Sequence, residues 1–432
     1  MEYQGYDKLV SETKRHVILF SHILVYTVSL ISHNMEDNTM PQQEDYLATI
    51  PVGKLGIIAL ESSKGIAKKV DDYIVDWRDA RNHEHTETIH FNEYKKDSYL
   101  INTMCPRFGT GEAKGMIRQS VRGDDLYILV DVTNYSLTYT VCGHENHMSP
   151  DDHFADLKRI IAAVNGKARR ITVIMPFLYE SRQHKRSTRE SLDCAFALQE
   201  IVNMGVDSII TFDAHDPRVQ NAIPLKTFEN VLPTYQFIKA LLRNVPDIIM
   251  DAKHTMVISP DEGAMSRAVY FGGVMGADVG MFYKRRDFTT IVNGRNPIVA
   301  HEFLGSSVEG MDVIIIDDMI SSGESMLDTA KELKKRKAKR IFICSTFGLF
   351  TNGFAKFDAA YEEGLIDKVI TTNLIYQSEE LLSRPYYVSA DMSKYIALLI
   401  DTLNHDGSIS NLLNPTDRIR QCIEKYNNKQ KI

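Results

Sequence analysis

Cysteine is sparse in this 432-residue chain. Cys105, Cys142, Cys194, Cys344 and Cys422 are odd in number, widely scattered, and no two form a Cys-x-x-Cys pair. That pattern argues against a disulfide framework and is the usage of reduced thiols in a cytoplasmic protein. An excess of positive charge is also missing. Fifty Lys and Arg stand against 57 Asp and Glu, a formal net charge of -7, whereas nucleic-acid-binding domains are usually basic. Low-complexity tracts and short solenoid-type repeats are absent as well. What remains is 44% hydrophobic and 25% charged, ordinary for a globular chain. The length allows two or more domains whose cores need neither disulfide nor structural metal.

The first fifty residues differ from the rest. The stretch "HVILFSHILVYTVSLISH" (16–33) is apolar and follows Lys14 and Arg15. It has no small-residue cleavage site, is short for a span, and contains His22. Two readings stand: an extension outside the native protein, with translation starting at Met35 or Met40, or a membrane-surface helix. No membrane partner is expected from the remainder.

From Leu55 onward, short apolar runs alternate with helix-length amphipathic segments. The runs are 55–60, 126–132, 171–175, 208–212, 255–259, 312–317, 340–346 and 368–372. Most lack strict alternation, as expected for strands covered on both faces. Strand-helix-strand alternation implies parallel sheets with right-handed crossovers. The segment "MLDTAKELKKRKAKR" (326–340) sets Met326, Ala330 and Leu333 on one stripe, predicting a helix. A polar stretch with Pro246 (243–254) separates two runs of units. The expectation is an α/β protein with an N-terminal extension over 1–50, one domain over 51–245 and a second over 246–432.

One stretch raises a chemical question. "VIIIDDMISSGESM" (313–326) runs four β-branched residues into two aspartates, then a small-residue turn. In open parallel sheets ligands bind beyond the carboxyl ends of strands. A turn built from Ser321, Ser322, Gly323 and Ser325 presents unpaired N–H groups and hydroxyls to an anion at a helix N-terminus. Asp317 and Asp318 above it can accept hydrogen bonds from vicinal hydroxyls, so a sugar phosphate suits both halves. A second reading, a capping and turn pair with serine N-caps, also fits the local sequence.

This stretch resembles the phosphoribosyl-diphosphate loop shared by phosphoribosyltransferases and ribose-phosphate diphosphokinases. Further segments resemble the diphosphokinases (PRPP synthetases) in unbroken order. They are "RFGTGEAKGMIRQSVRGDDLYIL" (107–129), "RITVIMPFLYESRQHKRSTRES" (170–191), "TFDAHDPRVQNAIP" (211–224), "VISPDEGAMSRA" (257–268), "YKRRDF" (283–288) and "GSISNLL" (407–413). The resemblance implies two phosphoribosyltransferase-like domains, each a mainly parallel sheet flanked by helices. It also implies transfer of the diphosphoryl group of ATP to the 1-hydroxyl of ribose 5-phosphate.

It further implies roles for residues. His215 and Asp261 would hold Mg²⁺. Lys284 and Arg286 would face the β- and γ-phosphates as charge builds. Arg182 and Gln183 would bind adenine, with Phe108 and Glu112 contributed in the family by a neighbouring subunit, so a homo-oligomer is expected. Asp317, Asp318, Ser321, Ser322, Gly323 and Ser325 would bind ribose 5-phosphate. This chain departs from the family pattern at Ser321, which stands where Asp is usual, and at Glu324, which stands where a small residue is usual. His184 and Thr110 replace common aspartates, and extra residues occur around 79–91, 138–150 and 288–303. The histidines of the first two insertions are irregularly spaced among acids, which reads as solvated loop. Ser321 and Glu324 leave room for a non-catalytic homologue with a regulatory or nucleotide-binding role.

Overall fold

The computed structural model describes residues 50–84, 93–286 and 298–428. The apolar 16–33 stretch, much of the first histidine-containing insertion and most of the third lie outside them.

The first part of the chain forms β1 (Lys54–Ala59), α1 (Lys64–Glu84), a small ribbon of β2 (Thr103–Met104) and β3 (Met116–Ile117), and β4 (Asp124–Leu129). Next come a hairpin of β5 (Thr138–Val141) and β6 (His144–His147), then α2 (Pro150–Val164), β7 (Arg170–Ile174), α3 (Asp193–Asn203), β8 (Ser208–Phe212) and β9 (Thr227–Val231). Strands β1, β4, β7, β8 and β9 form one sheet in the order β1-β4-β7-β8-β9, with every pair parallel. All six residues of β4 are buried, as a strand covered on both faces requires.

The second part begins with α4 (Thr234–Asn244), β10 (Thr255–Ser259), α5 (Met265–Met275), β11 (Asp278–Arg286) and β12 (Ile298–Leu304). It continues with β13 (Asp312–Ile320), α6 (Glu324–Lys335), β14 (Arg340–Gly348), α7 (Ala355–Glu362), β15 (Lys368–Thr372), α8 (Glu379–Leu382) and β16 (Tyr387–Ala390). Helices α9 (Ser393–Asn404), α10 (Ser410–Leu413) and α11 (Thr416–Asn427) complete it. The second sheet runs β12-β11-β10-β13-β14-β15-β16. Only its edge pair, β11 and β12, is antiparallel.

All eight apolar runs form strands. Within the two large sheets, β9, β11, β12 and β16 have no continuous apolar run and gave no such signal. The 326–340 helix is shorter than its stripe suggests. It begins at Glu324 and ends at Lys335, with Met326, Ala330 and Leu333 buried. Lys337 takes a left-handed φ of 63° and the chain enters β14 at Arg340.

One apolar core spans both sheets. Leu55, Ile57, Phe212 and Val231 of the first sheet pack with Phe347, Leu374, Ile396 and Ile400 from the second part. Helix α9 lies against α1, and a buried charge cluster ties the two. Asp401 on α9 accepts from Arg78 Nε at 2.9 Å and Arg81 Nη2 at 2.7 Å. Arg78 also donates to Asn404 Oδ1 at 2.7 Å, and its guanidinium lies over the rings of Tyr94 and Tyr99.

Candidate active site

The 313–326 stretch folds differently from a simple strand end. Strand β13 does not stop at Asp317; it continues to Ile320, because β14 pairs with it as far as Ile320 opposite Gly348. Its other neighbour, β10, pairs only as far as Ile315. The two aspartates therefore sit within β13 but beyond the end of β10. The chain then turns into α6 through Gly323, whose φ is 78° and whose missing Cβ would lie 2.3 Å from the Phe357 ring. No other residue fits there without displacing that ring. Thr351 N–H closes the turn on Ser321 O at 2.9 Å. Ser322 Oγ accepts weakly from Glu324 N at 3.4 Å, and Ser325 lies exposed in the first turn of α6. Glu324 forms an ion pair with Lys356 of α7 at 2.7 Å.

The paired carboxylates have different surroundings. Asp318 is buried, and its Oδ2 accepts from His215 Nδ1 at 2.7 Å, with Arg267 Nη2 3.6 Å away. Burial pushes its carboxyl upward, but the His215 hydrogen bond and the Arg267 charge outweigh that and hold it below its ordinary value. Asp317, half-buried, accepts from the Asp318 amide at 2.9 Å. Burial, then the charges of Asp318 and Asp261, hold its carboxyl well above the usual carboxylate range.

The sign of that shift sets a stability prediction. A carboxyl whose folded value is raised binds more protons folded than unfolded, so it costs stability once pH rises above its unfolded value. Asp317→Asn should therefore raise the thermal midpoint at neutral pH without divalent cations. The gain should vanish in acid, where the parent aspartate is itself protonated. A lower midpoint at neutral pH would remove the repulsion argument.

Residues that sequence reasoning overlooked hold this arrangement. Arg267 on α5 donates through Nε to Asp213 Oδ1 at 2.6 Å and through Nη2 to Ala214 O at 3.0 Å. Thr346 on β14 donates to Asp213 Oδ2 at 2.7 Å. Asp213, just past β8, takes a φ of 43°. It thus joins the first sheet to the second behind His215. Asp213 and Arg267 both lie inside the recognised segments, but nothing local pairs residues 54 apart. His184, from the loop after β7, lies with its ring centroid 5.3 Å from that of His215.

Asp261, in the turn after β10, accepts from Gly263 N–H at 2.9 Å and faces Asp317 electrostatically. Arg182 is exposed and Gln183 half-buried, with Gln183 Nε2 donating to Ser191 O at 2.9 Å. Phe108 and Glu112 bracket a separate turn beside the β5–β6 hairpin: Phe108 N–H donates to Glu112 O at 2.7 Å. The structure thus joins His215 directly to Asp318 and sets Asp317 and Asp261 beside them. The hydrogen bonds of Phe108 and Glu112 stay within their own turn. Lys284 and Arg286 fall on β11, five residues of which continue past its last pairing with β10 at Met281; their side chains lie outside the described residues.

Two sequence profiles match the chain. That of the N-terminal domain of ribose phosphate pyrophosphokinase matches residues 55–205, and the phosphoribosyl synthetase-associated domain matches residues 291–414. The chain belongs to the ribose-phosphate pyrophosphokinase family. The ribose-phosphate pyrophosphokinase of Vibrio cholerae is 28% identical over 320 residues, which is 73% of this chain and 92% of that one. That of Haemophilus influenzae is 27% identical over 319 residues, with the same coverage. In structure, the phosphoribosylpyrophosphate synthetase of Mycobacterium smegmatis superposes with a TM-score of 0.64 over 82% of this chain and all of its own. At 20% identity that likeness is one of fold: two phosphoribosyltransferase-like halves, each a mainly parallel sheet flanked by helices. Among the described residues no helix is long and apolar enough to cross a membrane.

Proposed function

We propose that this protein transfers the diphosphoryl group of ATP to the 1-hydroxyl of ribose 5-phosphate, giving 5-phosphoribosyl 1-diphosphate and AMP. In that reaction the sugar oxygen bonds to the β-phosphorus, the bond from that phosphorus to the α,β-bridging oxygen breaks, and AMP leaves with that oxygen. The observation that carries the reading is the 317–325 stretch. It joins a half-buried carboxylate to a serine-glycine turn at a helix N-terminus, next to a histidine supplied by the other sheet. The 5-phosphate suits the turn of Ser321, Ser322, Gly323 and Ser325. The ribose hydroxyls suit Asp317. Asp318 has its charge committed to His215 and Arg267 and acts chiefly by orienting them.

The donor set fits Mg²⁺ carried by the triphosphate. His215 donates an Nδ1–H hydrogen bond to Asp318, which leaves Nε2 as the open nitrogen, the orientation expected of a ligating or water-bridging histidine. Asp261 supplies a carboxylate. Among the described residues no group of three or more His, Cys, Asp or Glu is arranged to hold a metal by itself. That suits a cation that keeps several waters and takes phosphate oxygens as ligands. When bound, Mg²⁺ would neutralise charge on the triphosphate. Lys284 and Arg286 add fixed positive charge toward the β- and γ-phosphates. Arg182 and Gln183 receive adenine, with Phe108 and Glu112 from a neighbouring copy in a cytoplasmic homo-oligomer.

Glu324, one ground for a non-catalytic homologue, loses force through its ion pair with Lys356. That pair is exposed, so Lys356→Ala should leave stability nearly unchanged. It should free the Glu324 charge and raise KM for ribose 5-phosphate roughly threefold to tenfold, the reach of one partly screened charge. Unchanged KM would mean that Glu324 does not feel the sugar phosphate. The reading as a whole is tested by AMP release from Mg²⁺-ATP with and without ribose 5-phosphate. AMP that fails to appear, or appears equally without the sugar phosphate, would overturn it.

A further inference from the structure

The β5–β6 hairpin belongs to one of the stretches where this chain is longer than the family pattern. Its strands are largely exposed, so it adds little core of its own. Its base is closed, with Met148 N–H donating to Leu137 O at 2.8 Å. Its tip reaches the 108–112 turn. Cys142 N–H donates to Gly109 O at 2.8 Å. Val141 lies against Gly111, where φ is +91° and an added Cβ would meet Val141 Cγ2 at 3.2 Å. The Arg107 guanidinium, 4.8 Å over the Tyr139 ring, is bonded to Asp156 of α2 at 2.9 Å. Tyr139 Oη donates to Asp152 of the same helix at 3.0 Å. The hairpin and α2 together therefore clamp the turn.

Within that clamp the turn is closed by its own bonds. Gly111 N–H donates to Phe108 O at 2.9 Å, and Thr110 Oγ1 donates to Glu112 Oε2 at 2.9 Å. Phe108 is nevertheless 52% exposed. A free loop carrying a phenylalanine can fold the ring onto the surface and remove apolar area from water. Here the backbone supports hold the ring out, an arrangement that favours a flat partner stacking on it.

We propose that the β5–β6 hairpin is a brace that presets the 108–112 turn for the nucleotide base and so raises affinity for the nucleoside triphosphate. This rests on the reading of Phe108 and Glu112 as nucleotide-binding residues. The brace acts by positioning: it removes the cost of ordering the turn when the base arrives.

The test uses the full chain with residues 138–147 removed and Leu137 joined to Met148 through an Asn-Gly turn, which their hydrogen-bonded ends allow. Amide hydrogen exchange at Phe108 and Gly111, Mg²⁺-ATP binding by calorimetry, and KM for both substrates are compared with the parent. Expected are faster exchange at both amides, ATP binding weakened by about tenfold or more, and an unchanged KM for ribose 5-phosphate. If the shortened chain does not fold, a Val141→Ser, Tyr139→Leu variant, which keeps both strands, should shift the same quantities in the same direction. A folded variant with ATP affinity within about twofold of the parent would overturn the brace alone. A parent that binds ATP but releases no AMP would sink the diphosphoryl-transfer reading while binding still measures the brace. A parent that binds no ATP would sink both.

Discussion

Lys284→Ala is expected to lower kcat for ribose 5-phosphate-dependent AMP release by about two to three decades, with KM for ribose 5-phosphate changed little. The effect is one of charge. Transfer of the diphosphoryl group builds negative charge on the bridging and non-bridging oxygens. A preorganised cation close to them contributes roughly 3–4 kcal/mol that is absent in the ground state. The proposed sugar-phosphate contacts lie elsewhere, at Asp317 and the serine turn, so ground-state binding of that substrate should persist. Such a split, kcat falling with KM held, is the signature of an interaction made only in the transition state. Measuring AMP formation at saturating Mg²⁺-ATP across ribose 5-phosphate concentrations decides it. An unchanged kcat would return the Lys284–Arg286 segment to an ordinary solvated charge run.

The largest stability effect is expected at Asp401. Its side chain is 3% exposed and that of Arg78 1%, and the two are bonded between α9 and α1. Removing one partner of a buried pair leaves the other charge unsatisfied in a low-dielectric site, which typically costs about 3–5 kcal/mol. Asp401→Ala should therefore move the urea midpoint far to lower denaturant. Because α9 closes the core shared by both sheets, the loss should appear in a single transition. An Arg78→Met, Asp401→Leu variant should recover much of the loss, since the cost lies in the orphaned charge rather than in the missing contact. If the double variant is no more stable than Asp401→Ala, the cluster acts through its hydrogen bond to Asn404 and its packing on the Tyr94 and Tyr99 rings instead. The same comparison tests whether the two sheets unfold together.

Much of the fold was legible because it is written in short-range pattern. Runs such as those of β4, β10 and β13 are apolar on consecutive positions, as a strand covered on both faces requires. Strands β9, β11, β12 and β16 lack that signature. β9, β12 and β16, for example, are edge strands, whose pairing depends on a neighbour and not on their own composition. The same limit applied to the end of β13. Its extension to Ile320 is imposed by β14, and no residue in 317–320 announces it.

The candidate site divides along the same line. The sequence by itself determined the turn. Small residues, Gly323 among them, must surround a helix start, which follows from local backbone geometry. The sequence also placed His215 and Asp261 just beyond strands, where a parallel sheet opens to ligands. Only the tertiary structure decided what adjacent, chemically identical Asp317 and Asp318 do. One meets His215 and Arg267, residues some 103 and 51 positions away, and is held ionised. The other meets burial and two like charges and is pushed toward its neutral form. A carboxyl's charge depends on the field around it, and that field is set by residues distant in sequence, which become neighbours only when the two sheets close on their common core.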